Sequence, residues 1–290
     1  MANSLREVKM RIDSTKSTAQ TTKAMYMVSQ SKVRRAEKTF KDYQSFMDSI
    51  CSMVTSVVKK AGKEYTNPLL LEREVKKTHY LLITSDRGLA GAYNANVFKT
   101  FEELIKKHNS KEEFSVSAIG KKGCSYINSK GYPSLGCKVA YVRDDVMFSD
   151  IVPITKAIVS QYLDGTIDSL VIIYNHYINS LTQEVVNRKL LPIVNLDGEI
   201  KPIDYEYESG IEKTIDVMLP MYLEDVVYGI ILDAKTAEHS ARMNSMRNAT
   251  DNADEVIEKL QLLYNRARQG EITTELIDII GGANAIGGQE

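Results

Sequence analysis

Glycine and proline are missing from two long stretches of this 290-residue chain. No glycine precedes Gly62 and no proline precedes Pro68, and the forty residues between Gly229 and Gly270 contain neither. These two residue types are the strongest punctuation of regular structure, so both ends of the chain lack the ordinary stop signals. A helix through those forty residues alone is about 60 Å long at 1.5 Å per residue. Long apolar runs are missing too. "LVIIY" at 170–174 is typical of the longest, far short of the ~18 residues of a membrane span. The first 25 residues are polar and charged, without the pattern of a secretory leader. Cys51, Cys124 and Cys137 are odd in number and form no CxxC, which fits free thiols in a reducing compartment. Direct membrane insertion is not expected.

The chemistry-bearing patterns are also absent. His79, His108, His176 and His239 are scattered without metal-ligand spacing. No GxSxG, HExxH or Cys–His signature occurs. Neither a cofactor nor a metal is expected. Two glycine motifs need weighing. "SDRGLAGAYN" (85–94) lies between a strand and a helix, where phosphate loops sit, but has neither GxGxxG nor GxxxxGK[ST]. Gly88 and Gly91 read as turn positions with φ > 0. "IGKKGC" (119–124) resembles the GXXG loop with which KH domains clamp nucleic-acid backbone. It supports an alternative reading, a nucleic-acid-binding adaptor using Lys121 and Lys122. The plainer reading is a basic turn after a strand.

What is present is periodicity. From Leu5 to Val57 the positions 5, 8, 12, 15, 19, 22, 26, 29, 33, 36, 40, 43, 47, 50, 54 and 57 alternate spacings of three and four. A period of 3.5 held over seven heptads is a coiled-coil pattern. "SLRE" (4–7) reads as its capping box. Thr15, Thr22 and Ser29 make the seam polar in its middle. At the other end, Ile230, Ala234, Ala237 and Ala241 form one seam, and Ala249, Ala253, Val256, Leu260, Leu263 and Ala267 resume it after a phase shift. An antiparallel pair within one chain is the economical arrangement, and the pattern alone also fits a parallel homodimer. Residues 1–60 carry twelve Lys or Arg and five Asp or Glu, which suits an acidic partner or a solvated helix face.

Between the rods, strands are expected at 79–84, 114–120, 138–142 and 168–175, with helices at 95–108, 122–131 and 149–165, the last capped by Ser149. The segment 182–194 alternates and reads as an antiparallel edge. Pro220 suits a helix first turn. Alternating strands and helices imply a mainly parallel, covered sheet. The expected fold is therefore α/β: a long antiparallel coiled coil of N- and C-terminal helices with an inserted Rossmann-like domain. The boundaries read as 1–61 for the N-terminal shaft helix, 75–204 for the α/β domain and 211–286 for the C-terminal shaft helix.

Three stretches carry a family resemblance: "TTKAMYMVSQSKVRRAE" (21–37), "SDRGLAGAYNANV" (85–97) and the long block "EHSARMNSMRNATDNADEVIEKLQLLYNRARQGEITTELIDIIGGANAI" (238–286). Together, and in this order, they resemble the gamma subunit of the F-type ATP synthase, of the bacterial type. The resemblance implies a rotor shaft inside a ring of three α and three β subunits, with the α/β domain toward the membrane, holding epsilon and the c ring. It implies no catalysis by the chain itself, since nucleotide chemistry belongs to β. Ion flow through the c ring would drive the three β sites through ATP synthesis, or run in reverse with hydrolysis. The implied location is peripheral, on the cytoplasmic face of the cell membrane.

Residue by residue, the resemblance makes Arg268, Gln269 and Thr273 the catch that bonds a loop of β. It places Lys23, Met25, Lys32, Arg34 and Arg35, with Arg242 across from them, against the acidic helix–turn–helix of β. It makes Ile277, Ile280 and Ile286 part of an apolar bearing tip. Gly270 departs from a stiff rod beside the catch, at roughly 1 kcal/mol against Ala. The cysteine-bearing regulatory insertion of chloroplast relatives is missing, which implies a thiol-insensitive enzyme.

Overall fold

The computed structural model describes residues 5–62, 65–134, 146–194 and 210–287, with side chains up to residue 283. Helix α1 is Leu5–Ala61 and the last helix, α5, is Ile211–Gly287. Between them lie β1 (Thr78–Ile83), α2 (Tyr93–Ile105), β2 (Phe114–Ile119), α3 (Lys121–Lys130), α4 (Phe148–Leu163), β3 (Ser169–Tyr177) and β4 (Gln183–Leu191). The chain divides into two compact units, 29–242 and a second made of 1–28 with 243–290.

In the larger unit the sheet runs β2-β1-β3-β4. The first three strands are parallel, and β4 pairs antiparallel with β3. Side chains alternate between faces with the strand period of two. Tyr80, Leu82, Val116, Ala118 and Ile173 pack against Val97 and Phe101 of α2 and Ile127 of α3. Leu81, Ile83, Leu170 and Ile172 point the other way, onto Ile151 and Tyr162 of α4, Val54 and Val57 of α1, and Leu223, Val227 and Ile231 of α5. The two terminal helices are thus one covering layer of the sheet. Burying a side chain such as Phe101 or Leu81 stabilises by about 1.5–3 kcal/mol.

Within this unit α1 and α5 run antiparallel. Tyr43 donates to the Asp225 carbonyl (3.2 Å) and carboxylate (3.1 Å), while Cys51 Sγ lies 3.3 Å from the Tyr222 hydroxyl. The Tyr43 ring lies over Gly229, where an added Cβ would come within 3.3 Å of it. In the smaller unit Thr22 of α1 faces Thr250 of α5, their hydroxyls 2.8 Å apart. Val8, Ile12, Ala19, Met246 and Ala253 are buried there.

All sixteen seam positions read from α1 are buried or half-buried, and none is exposed. On α5 the seam differs from the expected one past residue 249. Val256 and Leu263 are 44% and 51% exposed, and the inward positions are Met246, Thr250, Ala253, Ile257, Leu260, Tyr264 and Ala267. Other boundaries also move. Helix α4 begins at Phe148 with Met147 as N-cap, because the Asp150 carboxylate accepts from the Met147 N–H (3.2 Å) and the Met147 carbonyl accepts from Asp150 N–H (3.0 Å). Ser149 lies inside the helix. Pro220 is interior to α5 rather than in its first turn, where its missing N–H deprives the Asp216 carbonyl of the usual donor. The strand expected at 138–142, the cap Ser4 and the turn at 195–202 lie outside the described residues.

Candidate functional site

The carboxyl ends of β1 and β3 are where an α/β fold of this type usually holds a ligand. Here α5 occupies that edge. The Tyr93 hydroxyl donates to the Ala234 carbonyl (2.9 Å), and Asn175 Nδ2 donates to the Tyr93 carbonyl (3.0 Å). Asp233 accepts the Tyr177 N–H (2.8 Å), and its other oxygen lies 2.6 Å from His176 Nδ1. Ser240 donates to the Ser180 carbonyl (2.7 Å) and accepts from Gln183 Nε2 (3.0 Å). Glu238 takes Lys235 Nζ at 3.1 Å on one oxygen and Arg242 at 2.8 Å on the other. Burial raises the Asp233 carboxyl above the ordinary carboxylate range, and the bonds from His176 and Tyr177 oppose that. Ten residues of one helix are therefore tied to two connections of the sheet, β1–α2 and β3–β4 with its flanking strand ends.

The loop at 85–94 is locked from within. Asn94 accepts the Ser85 N–H (3.0 Å) and donates to the Ser85 hydroxyl (2.7 Å), which donates to the Arg87 carbonyl (2.6 Å). Gly91 has the expected positive φ of 56°. Gly88 does not, and the second left-handed residue is Leu89, at 62°. The Arg87 and Gly88 carbonyls accept from Arg242 at 3.3 and 3.4 Å.

The "IGKKGC" loop is equally committed. Gly120 has φ 102°, and a Cβ there would overlap the Thr84 carbonyl oxygen. The N–H groups of Lys121, Lys122 and Gly123 donate to Asp86 Oδ1 (2.9 Å), the Ser85 carbonyl (3.1 Å) and Thr84 Oγ1 (2.9 Å). A loop whose backbone donors already serve its own chain cannot offer them to a phosphate, so only the exposed side chains of Lys121 and Lys122 are left of the KH-like pattern.

The residues carried over by resemblance fall into groups. In the smaller unit Lys23, Arg268, Gln269 and Thr273 are exposed and Met25 is half-buried. Thr273 Oγ1 donates back to the Gln269 carbonyl (2.8 Å), and Thr274 to that of Gly270 (3.0 Å). From Arg268 to Ala283 every side chain of α5 is exposed, including Ile272, Leu276, Ile277, Ile279 and Ile280. The Ile286 side chain lies outside the described residues. In the larger unit Arg34 and Arg35 are exposed and Lys32 is half-buried. Lys32 and Arg35 line a cavity of about 390 Å³ with Lys235 and His239. Arg242 differs, with its side chain 12% exposed and its guanidinium held by Glu238 and the 85–94 loop. Sequence reasoning missed Tyr93, Asp233, Glu238 and Ser240. Their partners lie up to 141 residues away in the chain.

A sheet whose ligand edge is filled by a helix, braced against two exceptionally long terminal helices, defines a mechanical element and not a nucleotide-binding domain. Comparison with known proteins agrees. The model of a family described as ATP synthase matches residues 4–286. The chain is similar to a chain of the central stalk and c-ring structure of the Tetrahymena thermophila mitochondrial ATP synthase, at 25% identity. That match covers 79% of this chain and 98% of that one, with a TM-score of 0.58. It shares the fold of a chain in the Euglena gracilis mitochondrial ATP synthase OSCP/F1/c-ring structure in rotational state 3, at 18% identity over 99% and 96% of the two chains, with a TM-score of 0.67. The rotor of the same organism's enzyme in rotational state 1 gives 15% identity over 92% and 98% of the two chains, with a TM-score of 0.66.

The chain belongs to the gamma-subunit family of the F-type ATP synthase. It is the central rotor shaft of that complex and a non-catalytic subunit. Among the described residues no helix is long and apolar enough to cross a membrane.

Proposed function

We propose that this chain turns inside a ring of three α and three β subunits, with its foot held by epsilon and the c ring. The division of labour follows the reading of the sequence: 1–61 and 211–286 form a coiled-coil shaft, and 75–204 forms the foot. Ion flow through the c ring turns the foot, and the asymmetric shaft takes the three β sites through their conformations in sequence. The assembly lies on the cytoplasmic face of a bacterial cell membrane, attached through other subunits.

The observation that carries this reading is the bare end of α5. Past Ala267 no described side chain of the helix is buried, and its surface carries polar catch residues followed by isoleucines and a leucine. Exposed apolar groups in such number point to a partner surface. Arg268, Gln269 and Thr273 bond a loop of β, and Ile277, Ile280 and Ile286 sit in the bearing. Lys23, Met25, Lys32, Arg34 and Arg35 face the acidic segment of β, where charges of opposite sign attract. For Arg242 to do the same it must first release Glu238 and the two carbonyls that now hold it.

Truncation tests the reading. A chain ending at Ala267, assembled with α and β, should show clearly lower ATPase turnover than the full chain. Unchanged turnover would remove the catch and the bearing from the mechanism.

A further inference from the structure

We propose that residues 233–242 of α5 are the point at which the foot drives the shaft, and that Arg242 is a positioning residue of this clamp. The inference rests on the rotor reading and adds where load crosses from sheet to helix. An apolar interface resists separation but is non-directional, so it opposes sliding weakly. Directional bonds fix register, and those involving ionised groups are the strong ones.

The covering layer between the sheet and the terminal helices is apolar over most of its extent. Elsewhere α5 is bonded at Asp216 by Tyr65 and Asn67 and at Tyr228 to the Val146 carbonyl, but its bonds to β3, β4 and the loops at the carboxyl edge of the sheet gather at one place. Asp233 grips the end of β3 through His176 Nδ1 and the Tyr177 N–H. Tyr93, at the start of α2, reaches the Ala234 carbonyl. Ser240 ties the β3–β4 turn through Ser180 and Gln183. Arg242, steadied by Glu238, caps two carbonyls of the β1–α2 loop. Asp233, Glu238 and Ser240 are 4%, 3% and 0% exposed, so water is kept from the α5 side of these bonds, while partners such as His176 and Ser180 lie nearer the surface. Two connections of the sheet, β1–α2 and β3–β4 with its flanking strand ends, grip the same ten residues. A torque on the sheet is therefore passed to α5 here without depending on apolar friction.

The test has two arms. In the isolated full chain, hydrogen exchange is measured across 85–92 and 176–182. Losing a bond to a charged group should speed exchange at least about tenfold, in 85–92 for Arg242→Gln and in 176–182 for Asp233→Asn. In the assembled membrane enzyme, ions pumped per ATP hydrolysed are compared for Asp233→Asn and the milder Ser240→Ala. This ratio should fall about twofold or more, a change that general loss of active enzyme does not produce. If Asp233→Asn does not fold, Ser240→Ala alone decides the second arm. Unchanged exchange in Arg242→Gln would show that Arg242 acts toward a partner and would overturn its place in the clamp. A pumping ratio that stays constant while both rates fall would overturn the load path. Neither failure touches the rotor reading, which stands or falls on assembly with α and β.

Discussion

The hydroxyls of Thr22 and Thr250 meet across the seam of the smaller unit at 2.8 Å, and each also donates to its own helix, to the Ala19 carbonyl (3.1 Å) and the Met246 carbonyl (2.9 Å). A hydroxyl has one proton, so the pair and the back-bonds share donors. This polar pair of the seam is thus internally satisfied. Replacing one partner leaves the other hydroxyl with its bond to its own helix but facing an apolar neighbour across the seam. Thr22→Val alone should cost about 1 kcal/mol, whereas Thr22→Val with Thr250→Val should be nearly neutral. Thermal melts of the full chain, run as a double-mutant cycle, measure the coupling. Strict additivity would show that the contact contributes nothing.

Gly120 is the position least able to take a side chain. Its φ of 102° and the overlap of any Cβ with the Thr84 carbonyl act together. Gly120→Ala should lower stability by about 3 kcal/mol or more. Gly131 has φ 62° with nothing near its missing Cβ. Gly131→Ala should therefore cost only the left-handed penalty, about 1–2 kcal/mol. Urea unfolding of the two variants separates steric clash from backbone strain.

His79 should make the protein acid-sensitive. It lies buried between Ser115 Oγ (2.9 Å) and Ser117 Oγ (2.8 Å), and burial, with the nearby Lys77 charge, lowers its pKa to about 4. The neutral ring is the folded form. Its stabilisation is complete above the unfolded value near 6.5 and is lost as the pH falls from there through about 4. The full loss is about 3 kcal/mol. His79→Gln should flatten this part of the stability curve, as read from urea midpoints between pH 7 and pH 4.

Gly270 sits in open space within α5, with no heavy atom within 4 Å of where a Cβ would stand. Gly270→Ala should stiffen the helix beside the catch by about 1 kcal/mol. Slower hydrogen exchange across 266–276 is the expected sign. If turnover in the assembled enzyme falls at the same time, local compliance at the catch is part of the cycle.

The two helices are legible in the sequence to different depths, and for physical reasons. On α1 the 3.5 period runs unbroken, so all sixteen seam positions can be assigned from spacing alone. On α5 adjacent apolar pairs allow two readings one residue apart. Val256 stands beside Ile257 and Leu263 beside Tyr264, and spacing cannot say which member turns inward. Most strand and helix positions follow from alternation and periodicity. Pro220 misleads because proline is ordinarily a start signal. The clamp is invisible for another reason. Asp233 and His176 are 57 residues apart and Tyr93 and Ala234 141 apart, so only the fold brings them together.

The measurement that tests the central claim most directly is purification of the tagged chain from native membranes, with partner stoichiometry and Mg-ATPase activity of the product. Three α and three β subunits for each tagged chain, with activity, are the expected result. Recovery of the chain alone, or with RNA in place of those subunits, would contradict the rotor assignment.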